Sequence, residues 1–243
     1  MKNKSRTFAF GLSGALRRLA DRRHTLLYIR AMNTSNIRPA LLAYLEGDLL
    51  PRYDAFDAAH RRDHALAVAE RSMDLAAHYD VDAEMVLTVA YYHDLGLSEG
   101  REHHHEVSAQ LLLADECLRC WFSGEQLEVM AEAVADHRAS AKHAPRSIYG
   151  SIVAEADRLI DPMLVLRRTV QYGLAHYPEL SREQHYERFL HHLQEKYAEG
   201  GYLRLWLPES ANAAPLAELR RIIADNERLR RQFESLYEAE AGK

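Results

Sequence analysis

The chain has 243 residues, a formal net charge of −5 and 47% hydrophobic residues, enough apolar content for a domain that folds without covalent staples. Its two cysteines exclude a disulfide framework and make a reducing cytoplasm the expected compartment, and no apolar run is long enough to predict a membrane-spanning helix. The acidic balance argues against nucleic acid as a partner, because a face that tracks phosphates needs net positive charge.

Charge is uneven along the chain. Residues 1–31 carry eight Lys/Arg against one acid, Asp21. An apolar run at 8–16 follows the first positive charges, but Arg17-Arg18 interrupts it and no small-residue cleavage site follows, so a targeting segment is not expected. Met32 offers an alternative start. Residues 1–33 are therefore expected to be a basic arm, either disordered or not native. The folded part is expected over 34–243, with a core at 57–160 and a C-terminal helical extension at 161–243.

Ile37, Leu41, Leu42, Leu45, Leu49 and Leu50 recur at helical spacing and predict a first amphipathic helix. A second is predicted at about 55–79, with Ala65, Ala69 and Met73 on one side. Asp80-Val81-Asp82 offers a cap for a third helix over 82–93, with Met85, Val86, Val89 and Ala90 facing inward. Gly96 and Gly100 break the chain. A fourth helix is predicted from about His104 to Cys117 and a fifth from 124 or 125 to about His137. Cys117 and Cys120 form a CxxC, but it lacks the βαβ context and electropositive helix start of a redox motif, so incidental placement is expected. A sixth helix near Pro145 carries Ile148, Ile152 and Val153. After Asp161-Pro162, helices at about 163–175 and 181–198 precede a charged tail helix from Pro215 to about Ala239. The segment around Trp206 is expected to pack back on the core or close the site, and its apolar side is where a homodimer could form. No useful run alternates with period two, so the fold class is all-α.

The histidines stand at telling positions. His60 and His64 share a helix face. His93-Asp94 ends the third helix, His103, His104 and His105 open the fourth, His137 ends the fifth, His143 follows, and Asp157 lies late in the sixth. Ends of apolar helices let side chains from separate helices converge. Imidazole with carboxylate suits Fe, Mn, Zn, Ni or Co, and a metal-lined cleft can acidify water.

The order His64, His93-Asp94, Asp157 resembles the H…HD…D signature of the HD superfamily. Tyr91-Tyr92-His93-Asp94-Leu95-Gly96 is similar to its apolar-apolar-H-D-[IL]-G, and Ala154-Glu155-Ala156-Asp157-Arg158-Leu159 is similar to its late D-A-D-[RK]-[LI] helix. The likeness spans about residues 57–160. His104-His105-Glu106-Val107-Ser108-Ala109 resembles the H-x-x-[VI]-[GS]-A stretch of two-metal members, although His103 and His105 compete for the place given to His104. His137 stands where such members have another ligand.

The resemblance implies an HD-type helical bundle with additional C-terminal helices. It implies metal ligands His64, His93, Asp94, His104, His137 and Asp157, with Asp94 bridging, for one or two divalent transition metals (Fe, Mn, Ni, Co or Zn, with Mg a further candidate). The activity implied is that of a cytoplasmic bacterial phosphohydrolase acting on a nucleotide or other small phosphoester through activated water, with Asp94 catalytic. Among Arg61, Arg138, Lys142, Arg146, Arg158, Arg167 and Arg168, the expected substrate-binding cations are Arg138, Lys142 and Arg158, which lie beside or near presumed ligands. His143 is expected to give a proton to the leaving oxygen. The chain lacks the G-Y-P stretch of the cyclic-di-GMP class and the H-D-x-x-E-D of alarmone hydrolases, since Leu95-Gly96-Leu97-Ser98 follows the pair. Two other readings keep the same residues: a di-iron oxygenase, and a non-catalytic metal-stabilised domain that binds a nucleotide or protein.

Overall fold

The computed structural model describes residues 36–57, 60–138 and 143–242; the basic arm and Lys142 lie outside the described residues. Those residues form ten α-helices joined by short π and 3-10 turns, with no strand among them. The all-α class is borne out. Chain contacts divide into two compact units: one runs through His137 and takes up Pro145–Ala156, and the other comprises Arg138–Ala144 and Asp157–Lys243.

The first unit is built around its most buried helix. The helix α1 (Pro39–Tyr44) runs straight into a π turn at Leu45–Leu49 and a 3-10 turn at Leu50–Ala55, so the single helix predicted here changes pitch twice. Helix α2 (Arg62–Ala76) starts later than predicted, because a turn closed by the His60 amide on the Asp57 carbonyl precedes it. Helix α3 (Ala83–Tyr92) is buried at every position from Glu84 to Tyr92, the pattern of a central helix that is apolar all round. Its start is set by Asp82, whose carboxylate accepts the Glu84 amide at 2.9 Å and so satisfies an otherwise orphan donor. Glu84 in turn accepts the Arg38 amide at 2.6 Å and its guanidinium, which anchors the start of α1 on α3.

A 3-10 turn at Leu95–Glu99 leads to α4 (His104–Ala114), and a second, Glu116–Cys120, leads to α5 (Gly124–Asp136). The fourth helix ends three residues short of its predicted end for an electrostatic reason. Asp115 accepts the Cys117 amide at 2.9 Å together with the hydroxyls of Tyr44 and Tyr92, and its extended backbone stops the helix. Cys117 and Cys120 are exposed thiols on this turn. Ser123 and Gln126 form a reciprocal capping box that starts α5. Helix α6 (Ile148–Ala156) completes the unit. Helix α2 packs on α3 and α6, and α5 packs on α3, α4 and α6, so the ends of α3, α4 and α5 meet. Arg71 of α2 donates to the carbonyl of Ala156 at 2.6 Å, tying down the last turn of α6.

The second unit contains α7 (Pro162–His176), α8 (Arg182–Lys196), α9 (Ala213–Ala224) and α10 (Asn226–Ala241) around a core that includes Phe189, Phe233, Leu193, Leu219 and Leu229. The tail predicted as one helix is two. Asp225 leaves helical geometry at φ −93° and ψ 93° and accepts the Arg228 amide at 2.9 Å, capping α10. The segment before α9 packs back on this core through Leu203 and Leu205. No helix of the described residues is long and apolar enough to cross a membrane.

Candidate metal centre

Helix α3 delivers His93 and Asp94 at its C-terminal end. His93 keeps helical dihedrals, and Asp94, at φ −112° and ψ 3°, turns the chain out of the helix. The Asp94 carboxylate is 6% exposed and its two oxygens face different partners. Oδ2 lies 3.4 Å from His64 Nε2 and 3.2 Å from His93 Nε2. Oδ1 lies 3.4 Å from His104 Nε2 and 3.5 Å from His137 Nε2. The result is two donor triads, His64-His93-Asp94 and Asp94-His104-His137, sharing one carboxylate. Each triad pairs a buried ring, His93 or His137, with a partly exposed one, His64 or His104. Solvent therefore reaches the cluster over His64 and His104.

Three of the rings are locked in one tautomer. His93 Nδ1 sits 2.7 Å from the Ala90 carbonyl, His104 Nδ1 2.8 Å from that of Arg101, and His137 Nδ1 2.6 Å from that of Val134. A carbonyl only accepts, so each Nδ1 carries the hydrogen and each neutral ring turns an Nε2 lone pair toward the cluster. Yet His104 and His137 bring their Nε2 atoms within 3.2 Å of each other, and His64 and His93 within 3.1 Å. Facing lone pairs beside a carboxylate repel unless a cation lies among them. The donor set fits a divalent metal for that reason, with backbone carbonyls orienting the ligand rings.

Asp94 is held anionic. Burial pushes its pKa up, but where a ring of the cluster takes up a second proton in place of a cation it turns an Nε2–H toward Asp94, and the charge of His93 with the hydrogen bonds of His137, His64 and His93 then holds the carboxyl well below the usual carboxylate range. Gly96, two residues on, donates its amide to Ser108 Oγ at 2.8 Å and so joins the turn after Asp94 to the helix that begins at His104.

Residues 61–160 match the family model of the HD domain. The chain carries an HD domain. HD domains make up a superfamily of metal-dependent hydrolases, and the five clustered side chains, all inside the matched span, form a site that can hold metal. No curated protein and no solved structure matches the chain.

The other candidates named from the sequence lie as follows. His103, which competed with His104, faces Glu106 at 3.3 Å with its side chain 64% exposed. His105 lies 3.9 Å from Glu106. Asp157 and Arg158 follow α6 and belong to the second unit, and the two donor triads found among the described residues include neither. Arg158 is buried, and its carbonyl accepts from Asn212 at 3.0 Å. Arg138 also falls in the second unit and is partly buried, while His143 is exposed with Nδ1 3.0 Å from the Ala144 carbonyl. Arg146 is committed elsewhere: it binds buried Asp136 through its amide at 2.7 Å and its guanidinium at 2.9 Å.

Sequence reasoning passed over Arg101 and the orienting carbonyls of Ala90 and Val134. Their signal is spacing. Each stands three residues before a histidine of the cluster: Ala90 and Val134 in the last turns of α3 and α5, where main-chain carbonyls lack helical partners or can be shared, and Arg101 just before α4.

Proposed function

We propose that this HD protein is a metal-dependent phosphohydrolase that acts on a nucleotide or other small phosphoester. The observation carrying this reading is the two-faced Asp94 carboxylate, with a histidine pair against each oxygen. His64, His93 and Asp94 would hold one divalent metal, and Asp94, His104 and His137 a second. Metal bound there supplies Lewis-acid polarisation of a phosphoryl oxygen and lowers the pKa of water.

The protein's own groups do the rest. Asp94 stays ionised and orders both sides of the site around one carboxylate. The Nδ1 bonds of His93, His104 and His137 keep the rings from rotating as charge develops. His64 and His104 form the partly exposed rim over which a phosphoester enters. Asp157, Arg138, Lys142, Arg158 and His143 keep the roles that the family likeness suggests: a sixth ligand, cations for the remaining phosphate charge, and a proton donor to the leaving oxygen.

Hydrolysis of a panel of nucleotides and phosphomonoesters by the metal-loaded protein, beside Asp94→Ala, tests the reading. Turnover that disappears with Asp94→Ala supports it. Turnover retained in that variant, or a wild type that leaves the whole panel intact, contradicts it.

A further inference from the structure

Arg101 is an exposed residue that touches neighbours of both sides of the donor cluster. Its carbonyl accepts from His104 Nδ1 at 2.8 Å, on one side of Asp94. Its guanidinium reaches toward the other side: Nη2 lies 2.9 Å from Asp57 Oδ2 and 3.1 Å from His60 Nδ1. The His60 ring meets that of His64 edge to face, with centroids 5.7 Å apart. One residue thus touches the surroundings of both rim histidines.

The contacts that hold the guanidinium are mutually inconsistent. His60 Nδ1 is 2.8 Å from Asp57 Oδ1 as well as 3.1 Å from Arg101 Nη2. If Nδ1 carries a hydrogen, it bonds Asp57 and opposes the N–H of Arg101. If it carries a lone pair, it accepts from Arg101 and opposes the carboxylate. One atom cannot serve both neighbours, so one of the three contacts is always strained. The Arg101–Asp57 pair is also exposed, with side chains 69% and 53% accessible, and such pairs contribute little net free energy. A phosphate group accepts the same two parallel charge-assisted bonds as a carboxylate but carries more negative charge and a further acceptor oxygen, which makes it the stronger partner for a guanidinium.

We propose that Arg101 is the side chain that takes the substrate's phosphate, handed over from Asp57 as the anion arrives at the rim. This rests on the phosphohydrolase reading. When Arg101 leaves, His60 Nδ1–H keeps Asp57 as its sole partner in the trio, and the strain is relieved. Asp57 thereby acts as a competitor that holds the cation in place between turnovers.

The test is binding of inorganic phosphate to the full-length protein, with metal per chain measured in every sample. The wild type binds phosphate. Arg101→Ala weakens binding by about tenfold or more with its metal content unchanged, and Arg101→Lys restores part of the loss. Asp57→Asn, which frees the guanidinium, tightens binding severalfold. Wild-type affinity in Arg101→Ala overturns the proposal, as does Asp57→Asn binding no tighter than the wild type. A metal-loaded wild type that binds no phosphate overturns the phosphohydrolase reading along with it. Phosphate binding that survives Arg101→Ala overturns the role of Arg101 alone.

Discussion

A Cβ on Gly96 would lie 2.1 Å from the carbonyl oxygen of His104 and 2.6 Å from the amide of Ser108. Both are backbone atoms, so no side-chain rotation relieves the clash. The turn after Asp94 and the first turn of α4 approach so closely because position 96 has no side chain, and this closeness brings His104 to Asp94 Oδ1.

Gly96→Ala must therefore displace the start of α4. Overpacking of this kind costs about 1–3 kcal/mol, and His104 moves with its helix. The expected result is a lower urea midpoint together with loss of metal from the His104-His137 side, read by elemental analysis. Gly47→Ala is the control, since a Cβ there meets nothing within 4 Å. Equal metal content in Gly96→Ala and wild type would show that the approach of these two turns does not position the ligand.

Arg146 guards the helix end that carries His137. Its guanidinium binds Asp136, whose side chain is 1% exposed. Arg146→Ala leaves a buried carboxylate with fewer partners, at a cost of roughly 2–3 kcal/mol. Asp136→Asn in the same chain removes the stranded charge, so the double variant should be more stable than Arg146→Ala alone. Chemical denaturation of the wild type, both single variants and the double variant checks this; simple additivity would mean the two side chains are not coupled.

The Arg38–Glu84 pair gives stability a dependence on pH. Burial raises the Glu84 pKa, but the side-chain and backbone hydrogen bonds of Arg38 and its charge more than offset this, and the folded pKa is depressed below 4.5. A depressed carboxylate contributes stability that is present above its unfolded pKa and is lost as pH falls through the folded value. Glu84→Gln should destabilise the protein by about 1–3 kcal/mol near neutral pH. The gap should narrow once pH drops below about 4.5. Urea midpoints of both proteins across pH 7 to 3.5 measure the difference; a gap independent of pH would assign the effect to packing.

Much of this arrangement is legible in the sequence. The helix ends at His93 and His137 follow from apolar periodicity, and the cap at Asp82 marks the start of the first of these helices. The break at Asp115 was not legible, because it depends on hydroxyls of Tyr44 and Tyr92 that arrive from distant parts of the chain. The split at Asp225 was hidden for a different reason: both flanking segments are strong helix formers, and a single cap residue outweighs their shared periodicity. The choice among His103, His104 and His105 needed three dimensions too, since adjacent residues in a first turn point about 100° apart and the chain text does not fix the zero of that rotation. Arg101 was missed because its contribution to the ligand shell is a carbonyl, which every residue possesses.

On the proposed reading Asp94 would serve two metal ions, one with each histidine pair. Metal stoichiometry of the full-length protein, wild type beside Asp94→Ala, tests it most directly. Two divalent transition-metal ions per chain are expected in the wild type, one for each triad, and neither is expected to be retained in Asp94→Ala. A single ion per wild-type chain, or an undiminished pair in Asp94→Ala, would contradict it.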